Sequence, residues 1–155
     1  MKLSALRVDV KAATKGVWFP YEGGCRLKVA KAGNREYTAF MRERMRDLEA
    51  KSDAERQDDI YTEAIARHIL VDWEGVIDGD GKPIPYTYLK GIEILSDDGY
   101  ADLKADVLAL STRAWAFREE QTRAALGNSG GSSNGASPPT ASLLPVLDSD
   151  ASQVA

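Results

Sequence analysis

The spacing of apolar residues changes period at Gly33-Asn34, which splits the chain into a part able to pair as strands and a part that must bury itself as helices. Before that point Leu3, Ala5 with Leu6, Val8 and Val10 mix with polar neighbours, and Cys25-Arg26-Leu27-Lys28-Val29-Ala30-Lys31 alternates almost cleanly. A two-residue period is that of half-buried antiparallel strands, and Gly16, Pro20 and Gly23-Gly24 mark the turns between them. Residues 1–32 are therefore expected to form a small β-hairpin or sheet.

Beyond Gly33 the period is helical. Asn34 is a good N-cap, and residues 35–50 place Tyr37, Phe40, Met41, Met45 and Leu48 at spacings of three and four, with Arg and Glu opposite. Ser52-Asp53-Ala54-Glu55 has the spacing of a capping box, after which Ile60, Tyr61, Ala64, Ile65, His68 and Ile69 trace one face up to Asp72. These segments predict a helical hairpin. Short apolar runs on either side of Asp78-Gly79-Asp80-Gly81 read as a turn or β-hairpin over 73–86, its second arm confined to an edge by Pro83 and Pro85. A short helix capped by Thr87 follows, carrying Leu89, Ile92 and Leu95. One long C-terminal helix is then expected from Asp97-Asp98 to about Leu126, striped by Leu103, Val107, Leu110, Ala114 and Phe117. The fold class is mainly α with a small N-terminal sheet (α+β), in one folded domain over 1–126, where the helical body occupies 34–126.

Composition sets the other boundary. From Gly127 to Ala155, fourteen of 29 residues are Gly, Ser or Pro and none is Lys or Arg. So few large apolar residues do not offset an ordering entropy of roughly 1–2 kcal/mol per residue, and 127–155 is expected to be a disordered tail. Leu143-Leu144-Pro145-Val146-Leu147 is its one apolar run, with the composition of a docking peptide or of chance. The net charge of −4 is also uneven: residues 1–35 carry +6, the tail −2 and the remainder −8. Such polarity suits head-to-tail self-association or an acidic partner as well as it suits a plain solvated surface.

Several function classes drop out. One Cys and one His make neither an internal disulfide nor the usual four-ligand zinc site, which favours a reduced, cytosolic setting. No apolar run approaches a membrane span, and Lys2, Arg7 and Asp9 interrupt the stretch a signal peptide needs, so no membrane partner is expected. Placing Gly81 at the fixed glycine of a calcium loop puts Val76 and Thr87 where acidic ligands are required, so Asp78–Gly81 reads as a plain turn. No metal or cofactor is expected. His68 and Cys25 lack a catalytic signature and read as packed residues, and no phosphate-binding glycine pattern is present. Trp18, Phe19 and Tyr21 in the basic segment have the composition of a nucleic-acid contact, but a pI near 5.1 and the lack of a reading module argue against that partner. Trp73 reads as core. Trp18, Tyr21 and Trp115 are the candidate interaction residues, since exposed aromatics anchor many interfaces.

The run from Ala64 to Thr87, AIARHILVDWEGVIDGDGKPIPYT, resembles the central block of tail assembly chaperones from long-tailed bacteriophages. Lys28–Asn34 (KVAKAGN), Phe117–Glu120 (FREE) and Gly127–Ser129 (GNS) support the resemblance in the same order. It implies a small, mainly helical, self-associating protein without enzymatic activity that coats the tape-measure protein and helps recruit tail-tube subunits. It further implies action in the host cytoplasm and absence from the mature virion. Many such proteins also have a longer form made by ribosomal frameshifting. A structural tail or head–tail connector subunit kept in the particle is the alternative. The resemblance does not extend to residues 1–24. Asp72, Trp73, Glu74 and Gly75 read as structural, closing the helix and fixing the turn that follows.

Overall fold

The computed structural model describes residues 1–48 and 54–129. Among them are six helices, α1 (Val10–Lys15), α2 (Arg35–Arg46), α3 (Ala54–His68), α4 (Tyr88–Leu95), α5 (Ala101–Ser111) and α6 (Glu119–Ser129), and a three-stranded sheet. Its strands β1 (Val17–Pro20), β2 (Arg26–Val29) and β3 (Leu70–Glu74) are antiparallel in the order β1-β2-β3. The mainly helical α+β class read from the sequence is the observed one.

Strand register puts the core together. Phe19, Leu27 and Trp73 are cross-strand partners and all three are buried, forming a single apolar row across the sheet. Against it pack Ile65, Ala66 and Ile69 at the end of α3, Leu95 of α4, Val107 and Leu110 of α5, and Phe117, whose ring meets Phe19 edge-on at 6.2 Å. The opposite row, Trp18, Lys28 and Asp72, faces outward as period-two pairing requires.

The loop after β3 is held by two aromatic hydroxyl and indole groups. Trp73 Nε1 donates to the Ile84 carbonyl at 2.6 Å, and the Tyr86 hydroxyl lies 2.7 Å from the Leu70 carbonyl and 2.5 Å from that of Ala66. Burial pushes the Tyr86 hydroxyl well above its ordinary pKa of 10, with the Asp72 charge adding to the shift. Asp78 closes the tip by accepting from the backbone N–H groups of Asp80 and Lys82, so this segment is the turn read from its sequence.

Three expectations are corrected. Residues 3–10 are not a strand: Leu3–Leu6 form a 3-10 turn and Val8 makes an isolated bridge to Arg118. Asp9 then accepts from Ala12 N and starts α1, a cap that overrides the apparent alternation. The hairpin partner of β2 is Val17–Pro20, which follows α1 immediately because Gly16 turns the chain at φ +90. The second helix stops at His68 rather than Asp72, since Leu70–Glu74 pairs with β2. The C-terminal helix is divided into α5 and α6 by a 3-10 turn, Ala114–Phe117, that drives Phe117 into the core and leaves Ala114 exposed. The capping box at Ser52 and the tail beyond Ser129 lie outside the described residues.

The N-terminal segment is tied to α6. Asp9 N donates to the Phe117 carbonyl (2.8 Å), Glu119 N to the Arg7 carbonyl (3.0 Å) and Thr122 Oγ1 to Asp9 Oδ2 (2.9 Å). These bonds from Ala12 first, and then Thr122, hold the Asp9 carboxyl below its usual pKa of 3.8. A depressed carboxylate stabilises the fold fully above its unfolded pKa and loses that contribution as pH falls through the lower, folded value. Asp9→Ala is expected to cost about 1–2 kcal/mol in urea unfolding at pH 7, in the range of lost N-caps. Against wild type, the deficit is expected to shrink as the titration is carried below pH 4.

Gly91 predicts an inverted glycine effect. Mid-helix Gly→Ala ordinarily stabilises by about 1 kcal/mol, but a Cβ here would sit 2.5 Å from the Tyr86 hydroxyl oxygen and 3.1 Å from Ala66 Cβ. Gly91→Ala is expected to lower Tm, and Tyr86→Phe in the same chain to recover part of the loss caused by the alanine.

Candidate docking surfaces

The three interaction residues expected from the sequence occupy separate places, and no ring contact joins any two of them. Trp18 lies half-buried on the outer face of the sheet, with Arg26 Cζ 4.9 Å and Lys28 Nζ 5.7 Å from its ring centroid. Arg26 is itself paired with Glu74 across the sheet, so the cations that cover Trp18 are partly neutralised.

Tyr21 is committed elsewhere. Its hydroxyl donates to Asp106 Oδ2 at 2.8 Å, joining the end of β1 to α5. Burial, and then this hydrogen bond and the charge of Asp106, push the hydroxyl up to about 12. Tyr21 is thereby a tie between sheet and helix. The signal was out of reach in the sequence, since Asp106 is 85 positions away.

Trp115 is 51% exposed on the 3-10 turn between α5 and α6, while Ala116 and Phe117 beside it are buried. At three residues per turn 115, 116 and 117 project about 120° apart, and with 116 and 117 turned to the core Trp115 takes the remaining side. Trp115→Ala is thus expected to change unfolding stability by less than about 0.5 kcal/mol, whereas Phe117→Ala is expected to cost about 3–5 kcal/mol. Chemical denaturation of the two variants side by side checks the contrast.

A partly exposed apolar row lies on α2 and the residues just after it. Asn34 Oδ1 accepts from Tyr37 N and caps this helix, yet none of its twelve residues is buried. Tyr37, Phe40, Met41, Met45 and Leu48 are all part-exposed, and only Tyr37 packs against the core cluster. The helix leans chiefly on α3.

Beside this row runs a ladder that the sequence reading missed. Arg44 Cζ is 5.1 Å and Arg67 Cζ 5.9 Å from the Phe40 ring centroid, and Arg67 lies 3.8 Å from that of Tyr88. Glu63 holds both guanidiniums, Arg67 at 2.8 Å and Arg44 at 3.5 Å. Phe40 with Arg44, and Glu63 with Arg67, are each spaced four apart. That spacing was legible within each helix, but the alignment across α2, α3 and α4 was not.

His68 packs its ring on Phe40 at 5.3 Å, and burial lowers its pKa from the ordinary 6.5. Cys25 Sγ donates to the Gly75 carbonyl at 3.2 Å. Among the described residues, no group of three or more His, Cys, Asp or Glu is placed to hold a metal ion. Hollows open on the body among the described residues. One of about 240 Å³ lies between Tyr37, Tyr61, Ile69 and Leu108, and one of about 280 Å³ is rimmed by Asp58, Asp59, Asp97, Asp98 and Lys104. Both fall below the roughly 300–1,000 Å³ of small-molecule sites. In the first, burial raises the Tyr37 hydroxyl pKa above 10, aided by Tyr61. In the second, Lys104 Nζ donates to Thr62 Oγ1 at 2.9 Å. No helix among the described residues is long and apolar enough to cross a membrane.

A protein-family model described as "YdaY prophage protein" matches residues 29–128. No curated protein and no solved structure matches the chain. The family match spans α2 to α6 and begins on the last residue of β2, so β1 and its turn lie outside it.

Proposed function

The chain belongs to the YdaY prophage protein family, and from that premise we propose that it is a tail assembly chaperone. In this reading it acts by binding and not by catalysis: it holds the phage tape-measure protein in the host cytoplasm, helps recruit tail-tube subunits, and is left out of the finished virion.

The observation that carries the reading is the part-exposed apolar row of α2 and Leu48 just after it. Two of its five apolar residues are methionines, unbranched and polarisable side chains that repack against varied surfaces. A long helical client presents many similar apolar faces in succession. An adaptable row suits such a client better than a shaped pocket does, in the helix-on-groove manner of recognition. Phe40 and Tyr88, stacked with Arg44 and Arg67, would frame the row with amphipathic groups. Trp115 offers a further aromatic contact. Weak contacts repeated by several copies along one client would add through effective concentration and still release as the tail tube grows.

Co-expression with the tape-measure protein of the same prophage tests the proposal. The wild-type chain is expected to keep that protein soluble and to co-purify with it. A Met41→Glu, Met45→Glu double variant, with helix content and Tm checked, is expected to retain roughly tenfold less, the factor that ~1.4 kcal/mol of lost contact gives. Absence of any complex with the wild type overturns the chaperone reading. So does stoichiometric presence of the chain in purified virions, which is the mark of a structural subunit.

A further inference from the structure

Two faces on either side of α3 carry opposite charges that the fold leaves unpaired. The first is on α2. At about 100° per residue, the side of this helix centred on Thr38 holds Met41 and Met45 on one flank and Arg35, Arg42 and Arg46 on the other, while Glu36, Glu43 and Asp47 project from the far side. The three arginines are exposed, and among the described residues none of them is in an ion pair. Arg44, the remaining cation of the helix, is held by Glu63.

The second face lies across α3. Asp58, Asp59, Asp97 and Asp98 rim the hollow of about 280 Å³ between α3, α4 and α5; all four are exposed, and none is in an ion pair among the described residues. Lys104 reaches into the same hollow, but it donates to Thr62 Oγ1 and lies 5.9 Å from the Tyr61 ring centroid, leaving the aspartates unpaired. With Glu55, Arg56 and Asp102 beside the rim counted in, six carboxylates stand against two cations. Lys90 on α4 is already paired with Glu93. Tyr100, 49% exposed and two residues after Asp98, adds a ring of the kind on which a guanidinium stacks.

The fold keeps the two faces of one chain apart. α2 covers one side of α3, with Phe40 on His68 and Arg44 on Glu63, whereas Asp58, Asp59 and Thr62 of the same helix turn towards Leu95 of α4 and Lys104 of α5. Complementary patches at different places on one surface meet between copies as a heterologous contact, which repeats from copy to copy.

We propose that the chain associates head to tail, with Arg35, Arg42 and Arg46 of one copy seated on the aspartate-rimmed hollow of a second copy. Exposed ion pairs are individually weak and screened by salt, so the contact forms at high local concentration, such as along a shared scaffold. The proposal concerns the chain alone: a soluble tape-measure complex without self-association would leave the chaperone reading in place and refute this one.

Sedimentation equilibrium of the full chain tests it, over about 10–500 µM protein at about 50 mM and about 1 M salt, where the screening length falls to about 3 Å. At low salt the weight-average mass is expected to rise with concentration from the 16.9 kDa of one chain to about twice that value or more, and at high salt to stay at one chain. An Arg42→Glu, Arg46→Glu chain and an Asp59→Lys, Asp98→Lys chain, each checked for wild-type helix content and Tm, are expected to stay monomeric alone. Mixed in equal amounts they are expected to associate, because intact faces then meet intact faces and reversed faces meet reversed ones. A wild type that stays monomeric at low salt overturns the proposal, and so does a mixture that stays monomeric. Association of either variant alone, as strong as that of the wild type, also overturns it, because the contact then does not use these charges.

Discussion

The fold turns on the segment Ala30–Asn34, and within it on one buried amide. Asn34 Oδ1 accepts from Tyr37 N while its Nδ2 donates to the carbonyls of Lys31 (2.9 Å) and His68 (2.8 Å). One side chain thereby starts α2, fixes the exit from the sheet and holds the last residue of α3. The backbone adds to this: Ala30 N bonds to Ile69, Lys31 N to Ala13 and Ala32 N to Ser111, so successive residues reach the link between α3 and β3, then α1 and α5. Only an amide both accepts and donates here. An aspartate would keep the cap but take the donor from the His68 carbonyl, while that of Lys31 would still accept from the Asn34 backbone N–H; a buried carbonyl without a partner costs roughly 1–3 kcal/mol. The point where the apolar period changes is thus also the point where the elements are joined.

What the sequence disclosed follows from how local each determinant is. The caps at Asn34 and Thr87 lie within three residues of the amides they bind, and both were legible. The turn at Asp78 was legible for the same reason. The same range contained an unread signal at Asp9, whose carboxylate reaches Ala12 N and turns an alternating segment into the start of a helix. Alternation over eight residues looks the same whether it lines a sheet or merely flanks a cap. Further along, the stripe from Leu103 to Phe117 kept helical spacing, although the helix ends at Ser111. Burial of Phe117 against Phe19 decides the break, and that contact spans nearly a hundred positions.

The docking surfaces were less legible. Aromatic residues in unusual settings pointed to Trp18, Tyr21 and Trp115, but the neighbours decide their roles. Tyr21 is tied to Asp106, and Trp18 lies beneath Arg26 and Lys28. The Phe40–Arg67–Tyr88 ladder draws on three helices whose alignment no single segment encodes. By contrast, the methionine row of α2 was written plainly in the spacing of Tyr37 to Leu48. Spacing reports which face is apolar, not how completely that face is covered.

Exposure has different causes at these places, and the causes rank them. Trp115 is outside because a 3-10 turn that buries both Ala116 and Phe117 leaves 115 on its remaining side. Its exposure is a geometric by-product and carries little weight as a sign of binding. On α2 the exposure is partial and has another cause. Phe40, Met41 and Met45 are half-buried where the helix leans on α3, Phe40 meeting the His68 ring at 5.3 Å, and only Tyr37 reaches the core cluster. A two-helix contact at the edge of the body covers one side of such a row and leaves the other open, so the exposure of α2 follows from its place in the fold and not from a local turn. An apolar row in register along a helix carries more weight as a candidate surface than a single ring turned outward.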